Sequence, residues 1–230
     1  MNVQGFQKLT LLDFPGKVAC TVFTGGCNLR CPFCHNASLV KYPGAQENME
    51  EEVLSYLEKR KGILEGVCIT GGEPLLQPEL PAFIQRVKEM GYAVKLDTNG
   101  SDPEALRRLL QTVSVDYIAM DVKNAPSSYE AAIGLEKRFA PFEESLGVIR
   151  QSGVPYELRT TFVKGIHREC DVVELGQYLA GEKRYFLQNF VESGDILKEG
   201  YLPFEREEMA NFLAIIRKTI PDAQLRGQEE

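Results

Sequence analysis

Two spacings of apolar residues take turns along this chain from end to end. Short apolar runs bounded by Gly, Pro or Asp read as buried strands over Val18–Phe23, Gly66–Thr70, Tyr92–Asp97, Asp116–Val122, Tyr156–Val163 and Tyr185–Phe190. Between them lie longer stretches with apolar residues three and four apart, the spacing that puts one apolar stripe on a helix. These predict helices over Glu47–Lys61, where Val53, Leu54 and Leu57 share a face, and over Pro78–Met90, Asp102–Gln111, Phe142–Gln151, Asp171–Leu179 and Arg206–Thr219. The punctuation agrees. Gly91 and Gly153 follow two helices, and Asp102 precedes Pro103 as an N-cap precedes a first-turn proline.

Six strand–helix units predict a parallel α/β sheet, because parallel neighbours need a long crossover between them. Alternation leaves open whether the sheet curls into a partial barrel or stays flat. Residues 1–16 carry Phe6, Leu9, Leu11, Leu12 and Phe14 before Pro15-Gly16, and predict an extended arm or hairpin packed on the first strand. Ala223–Leu225 reads as a last strand fragment. With no repeat, low-complexity tract or linker, one domain over residues 1–230 is expected. It divides into the arm (1–16), a six-unit core (17–190) and a C-terminal helix and tail (191–230).

Composition narrows the function classes. At 230 residues, 43% hydrophobic and 26% charged, the chain has ample material for a soluble core. A net charge of −7 and a pI near 5.1 argue against a nucleic-acid partner. No run of about 18 apolar residues suggests a membrane span. Met1 to Phe14 lacks a basic segment followed by an apolar one, so a cytoplasmic location is expected. Six cysteines would make a disulfide framework only in an exported protein. Cys20 and Cys68 sit in apolar runs and read as small buried hydrophobes. Cys170 reads as packed in preference to a further metal ligand.

The other three cysteines, Cys27, Cys31 and Cys34, are spaced C-x3-C-x2-C on one short loop. A structural zinc site is closed by four ligands and a cubane cluster usually takes four thiolates. Three thiolates suit a four-iron cluster with one iron left open, and His35, beside Cys34, is poorly placed to complete a zinc knuckle. In parallel α/β folds active sites collect at the carboxyl ends of strands. Here those ends carry Thr24-Gly25-Gly26-Cys27, Thr70-Gly71-Gly72-Glu73-Pro74, Asp97-Thr98-Asn99-Gly100, Asp121-Val122-Lys123, Arg159-Thr160-Thr161 and Leu187-Gln188-Asn189-Phe190. Gly71 and Gly72 admit a close backbone approach, and Lys123 offers a compact charge.

These motifs, with Phe33 before Cys34, the Cys34-His35-Asn36 continuation and the opening Leu12-Asp13-Phe14-Pro15-Gly16, resemble the radical S-adenosylmethionine enzymes. Within them the chain is most similar to the activases of glycyl radical enzymes, and among those to the activating proteins of anaerobic ribonucleoside-triphosphate reductase. The resemblance implies a partial TIM-type barrel. It also implies a [4Fe–4S] cluster on Cys27, Cys31 and Cys34 whose fourth iron is chelated by S-adenosylmethionine. Reduction would split the sulfonium into methionine and a 5′-deoxyadenosyl radical, which takes a hydrogen atom from a partner's glycine. Asn36, Gly71, Gly72, Glu73, Asp97, Thr98, Asp121, Lys123 and Arg159 would line the S-adenosylmethionine pocket. Glu73 would meet the methionyl ammonium and Arg159 the carboxylate, while the Asp97 and Asp121 pair can help hold a monovalent cation. An electron donor such as flavodoxin or ferredoxin is implied. Lys17, Arg30 and Lys41 near the loop read first as solvated charges. One departure is Phe190, where related pyruvate formate-lyase activases commonly place a histidine. His167 reads as a surface residue. The alternatives are a radical enzyme acting on a small molecule, such as a 7-carboxy-7-deazaguanine synthase, and a non-catalytic metal-binding module.

Overall fold

In the computed structural model, which describes residues 1–41, 44, 46–136 and 139–227, strands and helices alternate after an antiparallel start. The strands are β1 (Val3–Thr10), β2 (Ala19–Thr24), β3 (Gly66–Gly71), β4 (Ala93–Thr98), β5 (Tyr117–Asp121), β6 (Tyr156–Phe162), β7 (Tyr185–Asn189) and β8 (Gln224–Arg226). The helices are α1 (Ala37–Lys41), α2 (Met49–Glu58), α3 (Leu80–Glu89), α4 (Pro103–Thr112), α5 (Tyr129–Ile133), α6 (Ala140–Ser152), α7 (Glu169–Tyr178) and α8 (Arg206–Ile216). The strands are hydrogen-bonded in sequence order from β1 to β8, so the α/β sheet is open. β1 runs antiparallel to β2, whereas β2 to β4 and β6 to β8 pair in parallel. Among the described residues no helix is long and apolar enough to cross a membrane.

The chain forms two compact units: 1–28, 38–119 and 141–155 in the first, 29–37, 120–140 and 156–230 in the second. In the first, Ala19, Cys20, Val22, Val67, Cys68, Ile69, Val94 and Leu96 are wholly buried. Parallel strands covered on both faces need such near-continuous apolar runs. The opening motif has a packing role. Phe14 lies over Gly66, where a Cβ would come within 2.8 Å of its ring, and clusters with Ala19, Tyr117 and Ala93. Asp13 accepts a 2.5 Å hydrogen bond from Thr21 Oγ1 and fixes the hairpin to β2. Helix α4 starts as its sequence demands, with the Asp102 carboxylate accepting from Ala105 N at 2.8 Å and Pro103 in the first turn.

In the second unit Tyr185 donates its hydroxyl proton to Thr160 Oγ1 at 2.7 Å, and Thr160 passes its own to the Val122 carbonyl at 2.6 Å. Glu157, wholly buried on β6, takes a bidentate pair of bonds at 2.8 and 2.9 Å from Arg226 on β8. That geometry holds the short final strand in place.

Every expected strand and helix is present, with ends within three residues of expectation. The arm is a full edge strand, and the fragment at Ala223–Leu225 is β8. The short helices α1 and α5 have no counterpart in the sequence reading, being too brief to show a period. Cys20 and Cys68 are buried as expected. Two readings need correction. Cys170 is exposed on α7 and not packed, because the apolar face of that helix is carried by Val172 and Leu175. His167 is only 3% exposed and is not a surface residue, because both of its ring nitrogens bond to backbone. The last positions of the expected tail, 228–230, lie outside the described residues.

Candidate active site

In the first unit, the ends of β2 and β3 lace together around glycine. Gly72 N donates to the Thr24 carbonyl and Glu73 N to the Gly26 carbonyl, both at 2.8 Å. The approach is so close that a Cβ on Gly72 would stand 1.9 Å from the Gly26 oxygen. One on Gly71, whose φ is +113°, would stand 2.4 Å from Thr24 N. Only glycine fits there, and the backbone it admits belongs to the segment leading to Cys27.

Glu73 is fully buried, and its carboxylate organises the end of β4. Oε1 accepts from Thr98 Oγ1 at 2.9 Å and Leu75 N at 3.1 Å, while Oε2 accepts from Asn99 N at 2.7 Å. Asn99 is thereby turned so that Nδ2 donates to Cys27 Sγ at 3.6 Å and to Asn28 Oδ1 at 3.2 Å. A donor aimed at sulfur favours its thiolate. Farther back on β4, the Lys95 ammonium donates to Asp97 Oδ1 and lies 3.8 Å from Cys68 Sγ on the paired position of β3. Asp97 thus faces a cation of its own strand.

The second unit holds the rest of the cysteine loop. Cys34 N donates to the Cys31 carbonyl at 3.0 Å, closing a tight turn. Arg30 N bonds the Ile133 carbonyl at 2.9 Å, and Lys198 N the Pro32 carbonyl at 2.9 Å. Gly134, at φ +69°, lets this happen, since a Cβ would sit 2.1 Å from the Arg30 oxygen. Asn36 directly precedes α1, whose first amide, Ala37 N, donates to the Asp195 carbonyl at 3.2 Å. His35 packs against Phe190 with ring centroids 5.2 Å apart, and its buried Nε2 has no hydrogen-bond partner among the described residues. Burial first, then the nearby Lys123 charge, pushes the His35 pKa down and favours the neutral ring.

At the carboxyl end of β5, Asp121 accepts from Arg159 Nε at 2.9 Å and from Lys123 Nζ at 3.0 Å. Burial works against the Asp121 anion, but Arg159 and Lys123 outweigh it and hold the carboxyl well below the usual carboxylate range. Burial likewise opposes the Lys123 ammonium. Asp121 and the sulfurs of Cys31 and Cys34 prevail and keep it charged beyond its ordinary range. Lys123 therefore stands as a fixed positive charge in the field of two cysteines.

Of the nominated residues, Glu73 and Thr98 meet directly, and Asp121, Lys123 and Arg159 form one charged trio. Asp97 is engaged by Lys95 and Gly71 by β2 backbone. The sequence reading missed three participants, namely Lys95, Asn99 and His167. Lys95 had a legible signal, since residues two apart on a strand share a face and Asp97 is two along.

Among the described residues no group of three or more His, Cys, Asp or Glu side chains stands ready-made to hold a metal ion. The donor set nonetheless suits an iron–sulfur cluster. All three thiols are free of disulfides, one has an amide donor, and two have a permanent cation nearby.

Known proteins agree. Residues 21–175 match the family described as the Radical SAM superfamily. A putative glycyl-radical enzyme activating enzyme of Methanocaldococcus jannaschii is 30% identical over 234 residues, 97% of this chain and 95% of the relative. A pyruvate formate-lyase-activating enzyme of Clostridium pasteurianum is 31% identical over 168 residues, 70% of this chain and 68% of the relative. Among solved structures, Streptococcus suis SuiB bound to precursor peptide SuiA matches with a TM-score of 0.66 at 16% identity. It covers 90% of this chain, which spans about half (48%) of SuiB. That likeness shows the fold. The chain belongs to the radical SAM superfamily, whose cofactors are a [4Fe–4S] cluster and S-adenosylmethionine, and to its branch of glycyl-radical enzyme activating enzymes.

Proposed function

We propose that this chain activates a glycyl radical enzyme, anaerobic ribonucleoside-triphosphate reductase, by generating a radical on one backbone glycine of that partner. The observation that carries the reading is the charged trio at the end of β5. Asp121 aligns Lys123 and Arg159, and Lys123 acts electrostatically on Cys31 and Cys34. Two cations of this kind suit the carboxylate of a bound methionine better than they suit packing.

In this reading Cys27, Cys31 and Cys34 hold the cluster as thiolates. Asn36, Gly71, Gly72, Glu73, Asp97, Thr98, Asp121, Lys123 and Arg159 form the S-adenosylmethionine pocket. Bound together, cluster and S-adenosylmethionine supply reductive cleavage of the sulfonium and the means of hydrogen abstraction. The chain's own part is positioning. Glu73 fixes the Thr98–Asn99 turn, Asn99 supports the Cys27 sulfur, and Asp121 keeps two cations aligned. The glycine loop of the partner enters where water is excluded, protecting the radical. A small acidic carrier such as flavodoxin or ferredoxin supplies the electron.

The names of the relatives support the activase step, one of them acting on pyruvate formate-lyase by its name. The motifs of the sequence support the reductase as partner. Anaerobically reconstituted protein offered each enzyme separately should install a glycyl radical, seen by electron paramagnetic resonance, in the reductase. A radical in pyruvate formate-lyase alone would overturn the partner. Reductive cleavage with no radical on either would overturn the activase step.

A further inference from the structure

Just past β5, each backbone group of Val122 and Lys123 has a partner. Val122 N donates to the Arg159 carbonyl at 2.8 Å, and the Val122 carbonyl accepts from Thr160 Oγ1 at 2.6 Å. Lys123 N donates to Tyr129 Oη at 3.4 Å. The remaining group, the Lys123 carbonyl, lies 2.8 Å from His167 Nε2. The other ring nitrogen, Nδ1, accepts from Val163 N at 3.0 Å. It therefore carries no proton, so the proton must sit on Nε2 and point at Lys123.

His167 has no catalytic reach of its own. Its ring is buried between Phe162 and Phe33, at centroid distances of 5.1 and 6.2 Å. Phe33 stands between Cys31 and Cys34 in the loop. One imidazole thus touches the end of β6, the end of β5 and the cysteine turn, each by a separate contact. A buried pair of backbone bonds would satisfy a histidine anywhere. Here one of them falls on the residue whose ammonium acts on the two cysteines.

We infer that His167 is a positioning residue for Lys123: its Nε2–H clamps the Lys123 carbonyl and so sets where the ammonium stands relative to Cys31, Cys34 and the S-adenosylmethionine carboxylate. This rests on the reading of Lys123 as a cofactor contact, and the test separates the two. Asparagine and glutamine each keep one half of the imidazole's bonding. In His167→Asn the side-chain oxygen stands near Nδ1 and serves Val163 N, but nothing reaches Lys123. In His167→Gln the terminal amide stands near Nε2 and can still donate to the Lys123 carbonyl.

The experiment compares both variants with Lys123→Met and the unaltered full chain, by amide hydrogen exchange over residues 120–126 and by S-adenosylmethionine affinity after anaerobic reconstitution. His167→Asn should speed exchange across that segment and weaken S-adenosylmethionine binding about tenfold, the scale of one lost buried hydrogen bond. His167→Gln should stay near the unaltered chain on both readouts, although it melts no higher than His167→Asn. Equal behaviour of the two variants, or unchanged exchange in His167→Asn, overturns the inference. If Lys123→Met binds S-adenosylmethionine normally, the cofactor role of Lys123 fails, while the exchange result still decides whether His167 holds it.

Discussion

Two aspartates at strand ends, Asp97 on β4 and Asp121 on β5, are each paired with cations, but in opposite ways. Asp97 has Lys95, whose side chain is 1% exposed, and its own side chain is 11% exposed. Asp121 has two cations, Lys123 at 20% and Arg159 at 14%, and is itself 30% exposed. The first is a sealed pair whose neighbour on β3, the Cys68 thiol, lies within hydrogen-bond reach of both charges. The second is a wetter trio with redundancy. A sealed pair costs most when half of it is removed, because the survivor is a buried lone charge. A redundant, part-exposed trio loses little fold stability with one member but changes the charge it presents. The structure thus separates a sealed pair from a part-exposed trio, and in the proposed function the trio presents its cations to the ligand.

That contrast can be broken by substitution. Lys95→Met should have the largest effect on stability, about 3–5 kcal/mol, the usual cost of stranding a buried charge. Adding Asp97→Asn should restore more than half of it. Both are read from urea unfolding midpoints. Gly72→Ala should follow, at up to about 3 kcal/mol, since its Cβ would press on backbone and not on a movable side chain. Lys123→Met should cost only about 1 kcal/mol of stability because Arg159 remains on Asp121. Its affinity for S-adenosylmethionine should nevertheless fall at least as far as in His167→Asn. If Lys123→Met unfolds the chain as readily as Lys95→Met, the distinction between the two aspartates is wrong.

The smallest effect is on pH. The Asp121 carboxyl is held below its unfolded value, so its contribution to stability is present above about pH 4 and is lost as pH falls toward the folded value. Asp121→Asn should therefore lose stability at neutral pH and show a shallower further decline between about pH 4 and pH 2. A decline as steep as that of the unaltered chain would show that other carboxylates carry the acid limb.

Much of this was legible in the sequence, for identifiable reasons. Val67 to Ile69 are apolar at every position and wholly buried, and such a run cannot be mistaken for surface. Asp102-Pro103 names its helix start without tertiary help. The strand-end motifs were visible because glycine and carboxylate are rare in strand interiors. What stayed hidden depended on pairing between distant segments. Arg159 meets Asp121 only through the neighbouring positions of β5 and β6. His167 looked exposed because a polar residue in a loop usually is, and the carbonyl that buries it lies 44 residues away. Gly71 and Gly72 were read as letting backbone approach a ligand closely, and the close approach of Thr24 and Gly26 backbone that they also permit depends on strand pairing the sequence does not show.

The most direct test is the spectrum of the reduced, anaerobically reconstituted protein before and after S-adenosylmethionine is added. If Cys27, Cys31 and Cys34 hold a four-iron cluster as proposed, one iron would be left open to S-adenosylmethionine, and the electron paramagnetic resonance signal should shift on addition. Lys123→Met should shift it less at the same concentration. A protein that binds zinc in place of iron and sulfide, or a cluster signal that S-adenosylmethionine leaves unchanged, would contradict an open iron at this site.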